Sequence, residues 1–330
     1  MSTTALSTEL AAAMDAVRAA SRVCRAVQRQ LVSEQTLQKK DKSPVTVADF
    51  ASQAIVCARL AALLPDDRVV GEEASDELRK DEQTALRRMV VEQVAAGLGQ
   101  TVDESQVLTW IDRGGAEATG SRYWTVDPID GTKGFLRGEQ YAVALALIEE
   151  GHVVLGVLGC PNLPGPTGEP GVLMAAVHGQ GTRVYSLWDD ADKAGVPIHV
   201  SDISDASQAR FCESVESGHS DQDQSARIAQ LLGITAEPVR IDSQCKYAVV
   251  ARGEASIYLR LPTRADYREC IWDHAAGAIV VEEAGGKVTD ITGKPLDFSR
   301  GRRLENNRGI IATSGAIHDA VVTAVGRVLG

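Results

Sequence analysis

The sequence lacks an excess of basic charge, paired cysteine motifs and a long apolar run, and each absence excludes a class of protein. Its 330 residues include 34 Lys and Arg against 45 Asp and Glu, a formal net charge of −11. Binding of nucleic acid without regard to base sequence needs a basic surface, so that class is excluded. The six cysteines form no CxxC pair and have no regular spacing, which favours reduced thiols in an intracellular protein over a disulfide framework.

No stretch approaches the roughly 20 consecutive apolar residues that a membrane-spanning helix needs. The N-terminal stretch has an apolar stripe, but Glu9 and Asp15 interrupt it, which favours an amphipathic helix over a signal peptide. We therefore expect a cytoplasmic protein with neither a membrane nor a nucleic acid as partner. An organellar form stays open if a transit peptide has been removed.

The length favours two packed domains, because single cores rarely grow beyond about 250–300 residues. We predict an N-terminal α+β domain over residues 1–190 and a C-terminal α/β domain over residues 191–330. Strand patterns begin at Tyr123, and residues 97–121 are predicted to form a connection with one short helix. Helical patterns in the first third of the chain cover Ser7–Leu31, Val47–Leu64 and Asp76–Ala96.

The segment VDPIDGTKGF, residues 126–135, places two aspartates around a Pro-Ile pair at the end of the predicted strand YWTV. Proline disfavours helical backbone in the residue before it, so Asp127 is expected to be extended. Gly131 permits a tight turn, and Thr132 is a favourable N-cap for a following helix. Asp127, Asp130 and the carbonyl of Ile129 would then form an oxygen cage of the kind that Mg²⁺ prefers.

An Asp-Pro turn followed by a helix cap explains the same residues without any ligand. Two further acidic segments favour the ligand: GEE, residues 71–73, after the apolar RVV, and WDHAAG, residues 272–277, at a predicted helix start. Each has a simpler explanation by itself. Asp273 is a favourable charge at a helix N-terminus, Glu72 or Glu73 alone can be a solvated loop charge, and Asp49 can close a capping box with Thr46.

Together, DPIDGTKGF, GEE and WDHAAG resemble the lithium-sensitive, Mg²⁺-dependent phosphomonoesterases of the inositol monophosphatase superfamily. DKSPVTVADFASQ, VDPIDGTKGFLRGEQYAV and YREC-IWDHAAG are most similar to its 3′(2′),5′-bisphosphate nucleotidase branch, over about Asp41 to Ser314. The resemblance implies a layered αβαβα sandwich, as in inositol monophosphatases and fructose-1,6-bisphosphatases. It also implies hydrolysis of 3′-phosphoadenosine 5′-phosphate to AMP and phosphate, with the corresponding 5′-phosphosulfate as an open further substrate.

The resemblance assigns roles residue by residue. Two to three Mg²⁺ ions are expected, with Li⁺ as an inhibitor and Na⁺ as a candidate inhibitor. The metal ligands fall on Glu72, Asp127, the Ile129 carbonyl, Asp130 and Asp273. The pair that orients the attacking water falls on Asp49 and Thr132. The substrate pocket falls on Thr132, Ser217, His219, Ser243, Lys246 and Arg260.

Charge-assisted hydrogen bonds from Lys246 and Arg260 would select a substrate that carries a second phosphate. The partner is then a small molecule, an adenosine bisphosphate, and the protein is expected to be a monomer or weak dimer. Two alternatives stay open: an inositol polyphosphate 1-phosphatase or inositol monophosphatase, and a sensor that binds the nucleotide without cleaving it.

Overall fold

The structure is a computed structural model that describes residues 6–34, 43–165, 168–191, 194–215, 222–262, 264 and 266–330. Two residues of the predicted substrate pocket, Ser217 and His219, lie outside these ranges. Over the described residues the helices are α1 (Ser7–Glu34), α2 (Ser43–Leu63), α3 (Thr84–Leu98), α4 (Glu104–Arg113), α5 (Thr132–Leu136), α6 (Gln222–Leu232), α7 (Cys245–Ala251), α8 (Ala275–Glu283) and α9 (His318–Leu329).

The first sheet has its strands in chain order, from β1 to β7. Its first pair, β1–β2, is parallel, and every later pair is antiparallel. The strands are β1 (Val69–Gly71), β2 (Arg122–Asp130), β3 (Ala142–Glu149), β4 (His152–Pro164), β5 (Pro170–Val177), β6 (Thr182–Ser186) and β7 (Val196–Ile198). The last strand lies beyond residue 190, and the division into two domains at that point stays a prediction.

The second sheet has the order β11-β12-β10-β8-β9. Strands β8, β9 and β10 are parallel, and β12 pairs antiparallel with both β10 and β11. The bounds are β8 (Phe211–Glu213), β9 (Val239–Arg240), β10 (Ile257–Arg260), β11 (Lys287–Thr289) and β12 (Ile310–Thr313).

Each sheet buries side chains on both of its faces, and these faces define the layers of the fold. In β3, Val143, Leu145 and Leu147 join the core under α1 and α2, whereas the small Ala142, Ala144 and Ala146 face the core that holds α7 and α8. Alternate residues of a strand point to opposite faces, so a sheet covered on both sides is apolar throughout. The second sheet packs on α7 and α8 with one face and on α6 and α9 with the other. The predicted αβαβα sandwich is confirmed.

Small residues set how closely the middle helix layer approaches the first sheet. A Cβ on Gly156 of β4 would lie 2.4 Å from Ile279 and 3.0 Å from the Ala276 carbonyl oxygen of α8. The absence of a side chain at Gly156 therefore lets α8 rest directly on the sheet. This close contact carries the start of α8, and with it the WDHAAG segment, toward the end of β2.

Several predicted elements begin elsewhere than expected. The third helix, α3, begins at Thr84 after a 3₁₀ turn over Asp81–Gln83, not at Asp76. Helix α2 begins at Ser43, so Asp49 lies in its second turn and the predicted capping box with Thr46 is wrong. The short helix predicted within residues 97–121 is confirmed as α4, which Asp103 starts through a capping box with Gln106.

Among the described residues, one helical window is long and apolar enough to pass for a membrane span, Thr46–Leu63 of α2. The expectation that no stretch approaches such a span is therefore wrong on length and composition. In the structure 61% of this window is buried inside the protein. Because α2 packs against α1, α3, α4 and β2, its apolar character is that of a core helix.

Candidate active site

The two aspartates of the DPID segment lie within β2, which continues through the motif to Asp130. The pairing with β3 passes from Asp127 opposite Ala144 to Asp130 opposite Ala142, so β2 carries one extra residue there. Such a bulge re-aims side chains that would point to opposite faces of a regular strand. The Ser52 hydroxyl of α2 donates to the Pro128 carbonyl at 2.9 Å and holds the bulge.

The turn after β2 differs from the prediction in its capping residue. Gly131, with φ of 89°, is the N-cap of α5, and Thr132 is the first helical residue. The Thr132 hydroxyl lies 3.5 Å from the Ile129 carbonyl oxygen, and its side chain is exposed to the adjoining cavity. The predicted N-cap role of Thr132 is wrong because the left-handed backbone at this position needs glycine.

The GEE segment begins with Gly71, the last residue of β1, and parallel pairing puts Gly71 opposite Val126 of β2. Parallel strands end at the same sheet edge, so Glu72 comes next to Asp127. The buried Gln53 of α2 shapes this loop: it accepts a hydrogen bond from the Glu73 amide at 2.9 Å and donates to the Glu73 carbonyl at 2.7 Å. Glycine at 71 is required, since a Cβ there would lie 2.4 Å from Gln53 Oε1.

The third acidic segment lies at the start of α8, which begins at Ala275 with His274 as N-cap. Asp273 therefore precedes the helix, rather than beginning it as predicted. Its neighbour Trp272 stacks under the Arg302 guanidinium, whose central carbon is 4.7 Å from the ring centroid. Arg302 also donates to the Gly71 carbonyl, so one side chain ties WDHAAG to the GEE loop.

The carboxyl groups of these segments lie close together, since each of them raises the pKa of others. Burial raises the pKa of Asp127 well above its usual value, and repulsion from Glu72, Asp130 and Asp273 raises it further. The pKa of Asp273 is likewise raised by burial and then by Asp130 and Glu72. Burial, followed by repulsion from Glu73 and Glu72, raises the pKa of Asp49. Four carboxyl groups therefore share one small region with the Glu72–Glu73 loop: one from α2, two from β2 and one from the segment before α8.

The Glu72 side chain is exposed to solvent, yet other carboxylates lie close to it. Displacement of water by surrounding protein and repulsion from Glu73 and Asp130 raise its pKa to about 7. Solvent at this exposed position weakens the repulsion. Protonation lowers the repulsion when no cation is present, and a bound cation would remove it in the same way.

The cluster fits a hard divalent cation. Asp127 is only 2% exposed, and its Oδ1 is buried without a hydrogen-bond partner among the described residues. A buried carboxylate oxygen without a donor is costly unless a cation binds it. The donor atoms are carboxylate and carbonyl oxygens, which suit Mg²⁺. Asp273 also has ligand atoms within 4.8 Å of those of Glu269 and His274.

Glu269 and His274 are already engaged in a buried network. The two ring nitrogens of His274 lie 2.8 Å from the Tyr247 hydroxyl and 3.3 Å from Glu269 Oε2. Glu269 in turn accepts from the Arg260 guanidinium at 3.3 Å. This network holds Arg260 at the end of β10.

A cavity of about 290 Å³ opens beside the carboxylates. Lys246 lines it and is 4% exposed, and burial lowers the pKa of its ammonium group. Lys246 lies in the first turn of α7, which follows strand β9. The predicted residues that the structure brings to this cavity are Asp130, Thr132, Ser243, Lys246, Arg260 and Asp273.

Sequence reasoning missed the residues that support this site: Gln53, Gln244, Glu269 and Arg302. Gln244 and Glu269 stand within the segments DSQCKY and YREC, but neither has a spacing that singles it out. Gln53 donates a hydrogen bond to a residue 20 positions away in the sequence, and Arg302 donates to one 231 positions away. No local pattern signals contacts of that kind, because they depend on how distant elements pack.

Comparison with known proteins places this site in a family. The sequence profile of the inositol monophosphatase family matches residues 5–329. The 3′(2′),5′-bisphosphate nucleotidase of Schizosaccharomyces pombe is 46% identical over 333 residues, covering 96% of this chain and 94% of its own length. That of Oryza sativa is 46% identical over 340 residues, with 96% and 93% covered. That of Dictyostelium discoideum is 44% identical over 319 residues, with 95% of each chain covered.

Solved structures agree on the fold. An inositol monophosphatase from Anabaena (Nostoc) sp. PCC 7120 superposes with a TM-score of 0.62 at 23% identity, covering 98% of this chain and 96% of its own. One from Zymomonas mobilis gives 0.64 at 18% identity, with 98% and 99% covered. With a matching profile over almost every residue and relatives at more than two fifths identity, the chain belongs to the inositol monophosphatase family.

Proposed function

We propose that this protein is a Mg²⁺-dependent phosphatase that removes the 3′-phosphate of 3′-phosphoadenosine 5′-phosphate, giving AMP and inorganic phosphate. The observation that carries the proposal is a cluster of carboxylates beside a cavity that contains a buried lysine and an arginine. The names of the similar curated proteins support the choice of substrate. The 5′-phosphosulfate analogue is a second candidate substrate of the same site.

Glu72, Asp127, the Ile129 carbonyl, Asp130 and Asp273 would hold the two to three Mg²⁺ ions. Bound there, Mg²⁺ would make water a better nucleophile and offset charge on the leaving oxygen. In the reaction the water oxygen bonds to phosphorus while the bond from phosphorus to the 3′-oxygen breaks. The chain's own contribution is to hold these oxygens close together. Because burial and mutual repulsion raise the pKa of Asp127 and Asp273, a bound cation would be needed to favour their deprotonated form.

Asp49 and Thr132 are proposed to orient the attacking water. The Asp49 carboxylate is close enough to the Glu72–Glu73 loop to be affected by its charge, and the Thr132 hydroxyl faces the cavity from the first turn of α5. A carboxylate can accept the proton of the water while a hydroxyl fixes its direction. Asp49 comes from α2 and Thr132 from α5, which follows the bulge in β2.

Selection of a bisphosphate is assigned to the cationic side of the cavity. Lys246 is buried against the Tyr258 ring, with Nζ 5.3 Å from its centroid, and Arg260 is held by Glu269. A second phosphate would give Lys246 an anionic partner and Arg260 an additional one, and these bonds would offset the cost of burying the two cations. Ser243 lines the same cavity. Ser217 and His219 are kept as pocket residues by the family motif alone.

The test is phosphate release from 3′-phosphoadenosine 5′-phosphate, AMP and inositol phosphates in saturating Mg²⁺. We expect kcat/KM to be highest for the adenosine bisphosphate. A preference for inositol phosphates would favour the inositol phosphatase instead, and tight nucleotide binding without phosphate release would favour the sensor.

Lys246→Ala separates the pocket assignment from the metal chemistry. We expect it to lower kcat/KM for the bisphosphate by roughly tenfold or more, the effect of losing one charge-assisted hydrogen bond, with a much smaller change for a monophosphate ester. Lys287→Ala is the matched control, because Lys287 lies on the surface and pairs with Asp319 at 3.3 Å. Equal kcat/KM values for Lys246→Ala and the control would contradict the assignment.

We also propose the inhibitors, the cellular location and the oligomeric state of the protein. Li⁺, and Na⁺ more weakly, would compete for a cation position. The protein would work in the cytoplasm on a small-molecule substrate, as a monomer or weak dimer, with no membrane or nucleic-acid partner. Partition of activity between soluble and organelle fractions, and the mass in solution, would check these points.

A further inference from the structure

Gln244 lies between the two acidic segments that come from different sheets. It follows β9 and immediately precedes α7, and it is 1% exposed. Three hydrogen bonds connect it to residues on both sides. A buried amide whose donor and acceptor are both satisfied is rigidly placed, because every alternative orientation leaves a polar atom unpaired.

On one side Gln244 holds the DPID segment. Its backbone amide donates to Asp130 Oδ2 at 2.5 Å. The amide can point that way because Ser243, just before it, has a left-handed backbone with φ of 66°. Gly131 permits the close approach: a Cβ there would lie 2.7 Å from the Ser243 Cβ. A strained serine and a glycine with positive φ therefore bring the α7 N-terminus against Asp130.

On the other side its side chain holds the WDHAAG segment. Nε2 donates to the Trp272 carbonyl at 2.9 Å, and Oε1 accepts from the Gly277 amide at 3.0 Å. These two groups lie before and after Asp273 in the chain. The Gly277 amide is in the first turn of α8, where backbone N–H groups have no partner within their own helix. The Gln244 side chain therefore closes a loop that contains Asp273.

We propose that Gln244 is a positioning residue that sets the separation of the Asp130 and Asp273 carboxylates. Two like charges in a cleft repel each other, so their elements must be tied together by something else. The backbone and side-chain amides of Gln244 make these hydrogen bonds without adding a charge. A lysine or arginine in its place would neutralise the carboxylates and compete with the cation that they are proposed to bind. The proposal rests on the proposed metal site.

The test measures binding of Mn²⁺, a paramagnetic substitute for Mg²⁺, from the EPR signal of the free ion. Gln244→Met keeps the length of the side chain and removes its amide. The substitution removes both side-chain hydrogen bonds, to Trp272 and Gly277, and leaves the backbone bond to Asp130. We expect the Mn²⁺ Kd to rise about tenfold, the order of effect of losing hydrogen bonds of this kind, while the number of ions bound at saturation stays the same. An unchanged Kd would overturn the proposal.

Gln28→Met is the matched control. Gln28 is also buried, at 7% exposure, and its amide also makes two bonds, donating to the Phe135 carbonyl at 2.9 Å and accepting from Asn162 at 3.0 Å. Its bonds do not reach Asp130 or Asp273. We expect Gln28→Met to lose thermal stability but to keep the wild-type Kd. A similar rise in Kd for both variants would mean that the effect is general loosening, which also overturns the proposal.

The number of ions bound at saturation distinguishes partial unfolding from a displaced carboxylate. A partly unfolded variant binds fewer ions at saturation, whereas a displaced carboxylate raises the Kd of the sites that remain. Gln244→Asn is the milder second variant, because its shorter amide can reach only one of its two partners; it should raise the Kd in the same direction. If wild-type protein binds no Mn²⁺, the proposed metal site fails, whereas equal Kd values for wild type and both Gln244 variants refute the positioning role alone.

Discussion

At the scale of single residues, several of the contacts that hold the acidic segments in place are made by uncharged groups. Ser52 fixes the Pro128 carbonyl in the bulge, Gln53 fixes the Glu73 backbone, and Gln244 links Asp130 to WDHAAG. None of these contacts neutralises a carboxylate. The repulsion therefore remains in the metal-free protein, and it predicts how substitution and pH change stability.

Asp127→Asn should abolish activity and stabilise the metal-free protein. Phosphate release should fall at least about 10²-fold, as when a group that stabilises developing charge is removed. In EDTA the melting temperature should rise, by about 1.5 °C for each kcal/mol gained in a protein of this size, because the most deeply buried member of the cluster loses its charge. Phosphate assays and thermal melts measure both effects.

Asp297→Asn is the contrasting control. Hydrogen bonds from Ser299, with further help from Asn306 and Arg300, lower the pKa of Asp297 to about 2, so here the charged form stabilises the fold. This variant should lower the melting temperature and leave turnover unchanged. A melting temperature that falls for Asp127→Asn as well would contradict the repulsion described for the cluster.

The same carboxylates predict a pH effect. The pKa of Glu72 rises from 4.5 to about 7 on folding, so between these values the folded state binds more protons than the unfolded state. Stability contributed by protonation is then present at low pH and is lost as pH rises through that window. Asp127, Asp273 and Asp49 shift in the same direction.

We therefore expect the difference in melting temperature between Mg²⁺ and EDTA to grow as pH rises from about 4.5 to 7. Taking this difference removes the pH-dependent contribution of groups that Mg²⁺ does not contact. His318 is one of them, and burial lowers its pKa to about 4. Thermal melts at several pH values, with and without Mg²⁺, provide the measurement. A difference that is constant across the window would count against the cluster as the cation site.

At the scale of elements, the position of α8 decides where Asp273 lies. The helix is squeezed between β4 and α7: Gly156 admits it on one side, and on the other its own Gly277 touches the buried Tyr247 ring, which a Cβ at 277 would meet at 2.2 Å. Both contacts depend on the absence of a single methyl group. Packing in this layer is therefore predicted to be sensitive to small increases in volume.

Gly277→Ala should push α8 away from α7 and cost about 1–3 kcal/mol, as overpacking of a core does, with weaker Mn²⁺ binding. Gly326→Ala is the matched control in helix α9, where an added Cβ has nothing within 4 Å. It should stabilise the protein by about 0.4–1 kcal/mol, because alanine loses less backbone entropy on folding. Urea unfolding compares the two, and stabilisation by both substitutions would show that α8 has room to spare.

At the scale of the whole molecule, neither sheet carries a complete site. Glu72, Asp127 and Asp130 come from the first sheet, whereas Asp273 and Arg260 follow from the second sheet and the helices between the layers. A cation at this junction would bind both parts of the chain. Ions that compete for it should therefore alter activity and stability together.

Li⁺ should inhibit phosphate release at millimolar concentrations and should raise the melting temperature in EDTA, because a small hard cation suits carboxylate oxygens while supplying less charge than Mg²⁺. Titration with LiCl, against KCl at equal ionic strength, measures both. Equal effects of the two salts would indicate screening alone.

Much of the fold could be predicted from local patterns. The hairpin between β3 and β4 is an example, because a Glu-Gly pair between two apolar runs indicates a turn, and both Glu150 and Gly151 have positive φ, at 50° and 78°. Helix α7 and strand β12 were missed. Each is short, and each is buried on all sides, so neither shows the alternation between apolar and polar residues by which amphipathic elements are recognised.

The sequence by itself determined the three acidic segments, their order and the family they indicate, because metal ligands are chosen by chemistry that a motif records directly. Only the tertiary structure decided that the Asp127 oxygen is buried without a donor, that Lys246 lies in a helix and that Gln244 joins the two halves of the cluster. These facts depend on packing between residues up to hundreds of positions apart, and an uncharged amide has no pattern that reveals its partners before the chain folds.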